Sequence, residues 1–200
     1  MNPTASRLLR AARLAVPATA AVTLTLALAS PASASPSLVA RNGSSVQFAA
    51  LPGEVNDVTF TLSGGTLVVR DAASPLTPGQ GCVRVDNNTV RCGTGVTRIQ
   101  ATLGDLDDRA DNQTSLASDI DGGLGRDILL GGGGADRLTD PDGWPAAPSG
   151  TTFDGRAGND TIVSRNLGYD RVVCGSGFDI AIADNAGLDV LSGCEFAQRF

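Results

Sequence analysis

Gly122-Gly123-Leu124-Gly125-Arg126-Asp127-Ile128-Leu129-Leu130 runs without a break into Gly131-Gly132-Gly133-Gly134-Ala135-Asp136-Arg137-Leu138-Thr139. Gly, Gly, Gly, Asp and Leu recur nine residues apart, at positions one, two, four, six and eight of each segment. A third copy, Gly155-Arg156-Ala157-Gly158-Asn159-Asp160-Thr161-Ile162-Val163, has Arg156 at position two. Fainter copies follow in Gly168-Tyr169-Asp170-Arg171-Val172, Gly177-Phe178-Asp179-Ile180-Ala181 and Gly187-Leu188-Asp189-Val190-Leu191. Upstream, Leu106-Asp107-Asp108-Arg109-Ala110 keeps the Asp, and Ser118-Asp119-Ile120 keeps the apolar step with Ser in the Asp position. A period of nine is too short for a helical repeat and fits a short strand plus a turn.

The position-eight residues check the register independently. Ala110, Ile120, Leu129, Leu138, Phe153, Ile162, Val172, Ala181 and Leu191 follow at steps of 10, 9, 9, 15, 9, 10, 9 and 10 residues. A flexible acidic segment has no need of such an aliphatic ladder, whereas stacked short strands need it as their core. The one long step holds Pro141, Asp142, Gly143, Trp144, Pro145 and Pro148, and reads as a loop insertion over residues 140–150. Trp144 is expected to cover the open edge at this interruption.

Residues 35–103 carry a different pattern, that of a small antiparallel β module. Residues 45–50 are a short candidate strand. Asp57-Val58-Thr59-Phe60-Thr61-Leu62-Ser63 alternates with period two, Val58, Phe60 and Leu62 sharing a face. Gly64-Gly65 marks the turn, and Thr66-Leu67-Val68-Val69-Arg70 returns as the hairpin partner. Cys82-Val83-Arg84-Val85 and Thr89-Val90-Arg91-Cys92 flank Asp86-Asn87-Asn88 as a second hairpin, which sets Cys82 opposite Cys92 for a disulfide. This half shows no site chemistry, and its expected role is a structural cap on the repeats.

The first 34 residues read as an export signal. Arg7, Arg10 and Arg13 precede an apolar run over residues 14–29, and Ser30-Pro31-Ala32-Ser33-Ala34 supplies an A-x-A cleavage site. The apolar run is shorter than the ~20 residues of a spanning helix, so no membrane span is expected once the chain is cleaved near Ala34. Export into an oxidising compartment makes disulfides the default state of Cys82, Cys92, Cys174 and Cys194.

All 15 basic residues are Arg, 21 residues are acidic, and the formal net charge is −6. Cleavage removes three of the Arg and no acid, which brings the charge to −9. Such a chain repels nucleic acid and anionic lipid and attracts cations. With no His in the sequence, Ser-His-Asp and Cys-His catalysis and imidazole metal ligation are excluded. Neither H-E-x-x-H nor G-x-S-x-G occurs. No catalytic residue is expected and the protein does not read as an enzyme. A secreted glycosidase-like hydrolase working through carboxylates alone is the enzymatic alternative, but these Asp follow the loop period instead of converging from separate elements.

The Gly/Asp pattern has the chemistry of a hard-cation site. Glycines open backbone conformations that turn carbonyl oxygens inward, and the position-six Asp adds a carboxylate. Calcium takes six to eight oxygens in flexible geometry, whereas magnesium holds on to its waters.

Over about residues 104–192 the nonapeptide G-G-x-G-x-D-x-U-x resembles the calcium-binding repeats of the RTX, or hemolysin-type, family. The whole mature chain also looks like small secreted actinobacterial calcium-binding proteins with such repeats. The segments that carry this likeness are Leu51-Pro52-Gly53-Glu54-Val55-Asn56-Asp57-Val58, Gly81-Cys82-Val83-Arg84-Val85, Leu103-Gly104-Asp105-Leu106-Asp107-Asp108 and Val172-Val173-Cys174-Gly175-Ser176-Gly177. The resemblance implies an all-β protein, with the antiparallel hairpin module followed by a parallel β-roll over residues 104–200. In that fold each nonapeptide gives a loop and a short strand, two nonapeptides complete a turn, and loops two repeats apart stack and share an ion. One side would carry Asp108, Asp127, Thr151, Asp170 and Asp189, and the other Ser118, Asp136, Asp160 and Asp179. These Asp are the expected calcium ligands, with backbone oxygens of the loops that contain Gly122, Gly123, Gly125, Gly131, Gly132, Gly134 and Gly158. Their expected pairs are Asp108/Asp127, Asp136/Asp160, Asp160/Asp179 and Asp170/Asp189. The same stacking sets Cys174 and Cys194 in adjacent turns, ~4.8 Å apart, as a staple on the last turn.

The implied function is extracellular calcium binding in a structural or interaction role; the alternative within the fold is a metal-free structural solenoid. Mutual repulsion of the acids implies folding coupled to ion binding. No protein or polysaccharide partner is legible.

Overall fold

The computed structural model describes residues 36–141, 150–185 and 187–200. The proposed export segment with its cleavage site, and Trp144 in the insertion, lie outside the described residues. Those described are all-β, with no helix among them. The first strands are β1 (Ser37–Asn42), β2 (Ser45–Ala49), β3 (Asp57–Ser63), β4 (Thr66–Asp71), β5 (Leu76–Pro78), β6 (Val83–Asp86), β7 (Thr89–Thr94) and β8 (Arg98–Thr102). Then come β9 (Arg109–Asn112), β10 (Ala117–Asp121), β11 (Ile128–Leu130), β12 (Arg137–Thr139) and β13 (Thr152–Asp154). The last are β14 (Thr161–Val163), β15 (Arg171–Val173), β16 (Ile180–Ala183), β17 (Val190–Ser192) and β18 (Phe196–Arg199).

Two sheets of nine strands hold them, in the orders β18-β16-β14-β12-β10-β8-β2-β1-β5 and β17-β15-β13-β11-β9-β3-β4-β7-β6. From β8 onward successive strands go to alternate sheets, and each pairs in parallel with the strand two places later. The hairpins β3–β4 and β6–β7 are antiparallel, as their turn signals predict, and β1–β2 adds an antiparallel hairpin that the sequence reading did not name. The N-terminal half is nevertheless not a purely antiparallel module. β1 pairs with β5, β2 with β8 and β3 with β9 in parallel, so residues 35–103 and 104–200 build the same two sheets. Turn chemistry announces only neighbours in sequence; these parallel partners arrive through burial of apolar faces from far along the chain.

The aliphatic ladder divides between the sheets. In one, Phe48, Ala101, Ile120, Leu138, Ile162 and Ala181 stand opposite one another strand by strand. In the other, the row is Val58, Ala110, Leu129, Phe153, Val172 and Leu191. The insertion before Phe153 leaves the register intact, because Leu129 still faces Phe153. All these side chains are buried except Leu191, which is half-buried against the same cluster. Phe48 and Phe60 join the sheets edge to face, ring centroids 6.4 Å apart. Three-residue strands such as β11 to β15 have only one inward position each, which is why the apolar code reduces to a single residue in nine.

Both disulfides form as paired in the sequence reading, Cys82–Cys92 across the β6–β7 hairpin and Cys174–Cys194 at the C-terminal end. The latter has Cα atoms 5.1 Å apart. The same end is tied by Arg199 Nη1, which donates to the carbonyls of Asp184 at 2.9 Å and Asp189 at 3.3 Å. The Arg165 guanidinium also lies 4.0 Å over the Phe200 ring. Closing a loop of this length is worth about 3 kcal/mol. Replacing Cys174 and Cys194 by Ser is expected to lower stability by about that amount in urea denaturation, with amide protection lost first in β15, β17 and β18. An unchanged midpoint would show that the last turn holds without its staple.

Candidate metal centre

The chain crosses between the sheets through loops that stack on two sides. Position-six residues anchor each stack by one repeated contact: a rung's backbone N–H donates to the side-chain oxygen of the next rung. On one side Asn56 N donates to Asp108 Oδ1 (2.7 Å), Asp108 N to Asp127 Oδ1 (2.9 Å) and Asp127 N to Thr151 Oγ1 (3.0 Å). The series continues from Thr151 N to Asp170 Oδ1 (2.8 Å) and from Asp170 N to Asp189 Oδ1 (3.1 Å). On the other side Ser118 N donates to Asp136 Oδ1 (2.7 Å) and Asp136 N to Asp160 Oδ1 (2.8 Å). Asp160 N then donates to Asp179 Oδ1 (2.8 Å), and Asp179 N to Glu195 Oε2 (2.8 Å). All four carboxylate pairs expected from the sequence are therefore adjacent rungs.

The second oxygens separate the rungs into two kinds. Asp108, Asp160, Asp170 and Asp179 are at most 3% exposed, and the Oδ2 of each is buried without a close hydrogen-bond partner among the described residues, although the Asn166 side chain interacts with the Asp170 carboxyl. None of the four has an Arg partner among the described residues. Asp136 and Asp189 differ. Asp136 Oδ2 accepts from Gly132 N at 2.6 Å, while its Oδ1 also takes the Ser118 hydroxyl at 2.7 Å. Asp189 Oδ2 accepts from Ser164 Oγ and from Asp184 N, both at 2.8 Å. Protein donors thus occupy both oxygens of these two carboxylates.

The glycines have two distinct reasons. Gly125 and Gly158 hold φ of 132° and 129°, and a Cβ at either would overlap a carbonyl oxygen of the stacked loop, Leu106 or Gly134. The second copy departs from this geometry. Gly131, Gly132 and Gly134 have no left-handed φ; at Gly132 and Gly134 the demand is only close approach, to the backbone of Thr114 and of Leu116. That loop stacks on residues 113–116, which are not a nonapeptide. Gly122 and Gly131 face the Oδ2 atoms of Asp127 and Asp136 in their own loops, and Gly123 lies over the Gly104 carbonyl. Some loop carbonyls serve the stack itself: Gly104 O accepts from Leu124 N at 2.8 Å and Gly132 O from Ala157 N at 3.2 Å. Each keeps a second lone pair.

Desolvation governs the electrostatics. Burial pushes the Asp108 carboxyl up to about 8, reinforced by the charge of Asp127 and opposed by its bond from Asn56 N–H. Asp170 rises to about 7 through burial and the neighbouring Asp189, and Asp160 to about 6 through burial with Asp136 and Asp179 nearby. Burial also raises Asp136, against several donors. The exposed Asp107 moves the other way, held low by hydrogen bonds from Arg126. A hard cation fits such a donor set: orphaned carboxylate oxygens in a dry, negative stack. No three Asp, Glu, His or Cys side chains form a metal cluster among the described residues, so an ion here would draw on carboxylate pairs and backbone oxygens.

Two rungs escaped the sequence reading. Asn56 and Glu195 occupy donor and acceptor places of the ladder without being Asp, whereas Thr151 stands where the sequence set it. Asn56 was findable: it stands at position six, and Val58 at position eight, of the segment that begins at Leu51. Pro52 and Glu54 in place of glycines hid the register. No family model matches this chain, and neither curated proteins nor solved structures yield a match.

These carboxyl groups bind protons more tightly in the fold than in the open chain. Their contribution to stability is full below about pH 4, near the unfolded carboxylate value, and is lost as pH rises through the folded values of about 6 to 8. Calcium-free protein is therefore expected to show a urea midpoint that falls between pH 5 and pH 8.5. A midpoint rising over that range would mean that the ladder carboxylates are ionised and satisfied in the fold.

Proposed function

We propose that the chain is an extracellular calcium-binding protein whose alternating strands are the turns of a parallel β-roll, with calcium held between stacked Gly/Asp loops. The carrying observation is the set of buried, unpartnered Oδ2 atoms on Asp108, Asp160, Asp170 and Asp179. A buried carboxylate with an unused oxygen and no cationic neighbour is costly unless a proton or a metal ion compensates it. At neutral pH, in the calcium of an extracellular medium, the metal is the stronger compensation. The absence of His and of Cys pairs suited to zinc favours an oxygen-only ion, and two disulfides fit an oxidising compartment. In this reading Asp127, the partner of Asp108, belongs to the site through its bond to Asp108 N. Asp136 and Asp189 instead support the stack, since protein donors already fill their oxygens. The role is binding, structural or interactive, and no catalysis is proposed.

Those two saturated carboxylates favour a second reading, a metal-free solenoid whose Asp ladder serves only to cap loop N–H groups. Calcium at pH 7.5 separates the two. Affinity in the extracellular range means Kd on the order of 10⁻⁴–10⁻³ M. Calcium at a hundredfold excess over Kd then stabilises the wild type by about 2.7 kcal/mol per site. The gain is expected to shrink in Asp160→Asn, which keeps the acceptor for Asp136 N but removes the charge. The metal-free reading requires that calcium leave both melting curves where they are.

A further inference from the structure

The N-terminal half, which shows no chemistry in sequence, contains a buried acidic cluster outside the repeats. Glu54, Asn56 and Asp71 are each at most 1% exposed, and Asp108 lies beside them at 3%. Ser37 Oγ donates to Glu54 Oε2 at 2.6 Å and accepts from Asn56 Nδ2 at 3.1 Å. Asn56 Nδ2 also donates to Asp71 Oδ2 at 2.8 Å, and Asn56 N to Asp108 Oδ1 at 2.7 Å. Asp71 is fully engaged, since its Oδ1 accepts from the backbone N–H groups of Asp57, Ala73 and Ser74. Glu54 Oε2 takes a further bond from Leu51 N at 3.2 Å.

Three oxygens of this cluster have no partner among the described residues: Glu54 Oε1, Asn56 Oδ1 and Asp108 Oδ2. The Asn56 amide is oriented by its two Nδ2 bonds, which fixes Oδ1 as the unused end. No Arg pairs with Glu54, Asp71 or Asp108 among the described residues. Two carboxylate oxygens and an amide oxygen, all dry and unpaired, are a hard-cation donor set, and a neutral ligand would leave the charge uncompensated. The loop is also built as a rung. Gly53 N donates to Asp105 Oδ1 at 2.7 Å and Asn56 N to Asp108, so residues 51–56 stack on residues 103–108 as those stack on the first full repeat.

We propose that residues 51–56 form a divalent-cation loop, with Glu54, Asn56 and Asp108 as its side-chain ligands and calcium as the ion. The site lies ahead of the Gly/Asp repeats and ties the hairpin half of each sheet to the repeat half. It rests on the calcium reading for the identity of the ion, and on its own orphaned oxygens for its existence.

Calorimetric titration of the full chain with calcium chloride at pH 7.5 tests it, comparing wild type with Glu54→Gln and Asp160→Asn. Glu54→Gln keeps an acceptor for Ser37 and is expected to lose one calcium equivalent while the repeat equivalents remain. Asp160→Asn is expected to lose the binding at the Asp136–Asp179 stack and to keep the Glu54 equivalent. Wild-type binding with an unchanged Glu54→Gln isotherm overturns this proposal and leaves the repeat reading standing. A loss with Glu54→Gln but none with Asp160→Asn supports this site and removes the repeat site at Asp160. No binding by the wild type overturns both. Should Glu54→Gln fail to fold, Glu54→Asp retains the charge on a shorter arm and is expected to weaken one equivalent by about tenfold; an isotherm identical to wild type overturns the proposal.

Discussion

One hydrogen bond, repeated down two sides of the molecule, organises the rest: a backbone N–H at position six given to the side-chain oxygen of the rung that follows. It runs from Asn56 to Asp189 on one side and from Ser118 to Glu195 on the other. The strands between these loops are three or four residues long over most of the repeat region, and each closes only a few ladder bonds. Without the side-chain acceptors, loop N–H groups facing inward would be orphaned, a cost that short strands could not offset. A carboxylate does this better than a neutral group because its bonds are charge-assisted. Thr151 shows that a hydroxyl suffices at one rung.

The same choice creates the molecule's electrostatic difficulty. Each Asp that caps a loop is buried next to another Asp nineteen to twenty-four residues away. Arg ion pairs lie elsewhere: among the described residues they are with Asp57, Asp107, Asp111 and Asp119, on sheet faces and loop rims, and Arg156 reaches Asp111 from a left-handed backbone position where the repeat elsewhere has Gly. A buried carboxylate so placed is costly for as long as it is ionised and unpaired.

Much of this was legible in advance. The nine-residue period, the aliphatic ladder with its one long step and the Cys82–Cys92 pair follow from residue types at fixed spacing; the neighbouring carboxylate pairs and Cys174–Cys194 were expected only from the stacking that the family resemblance implies. Spacing becomes geometry directly when each repeat is a strand and a turn. The parallel pairings of β1, β2 and β3 were not legible, because their partners lie far off in sequence and no turn announces them. The division of the Asp into open and saturated rungs was equally hidden. Asp136 sits in a perfect copy of the repeat, yet Ser118 and Gly132 occupy its oxygens, and those neighbours come from the irregular loop stacked against it. Glu54 and Asn56 read as hairpin-linker polar residues until Ser37 and Asp71 are brought around them.

The sequence by itself determined the period, the identity of the inward residue in each strand, the Cys82–Cys92 pair and the sign of the charge, since all of these are properties of local pattern and composition. Tertiary structure alone decided that the hairpin half and the repeat half share two sheets, and which carboxylates keep an oxygen without a protein donor among the described residues. The physical reason is that hydrogen-bond satisfaction is settled by the loop one turn away. How many donors a position-six Asp accepts therefore depends on its neighbour in space, whatever its neighbours in the chain.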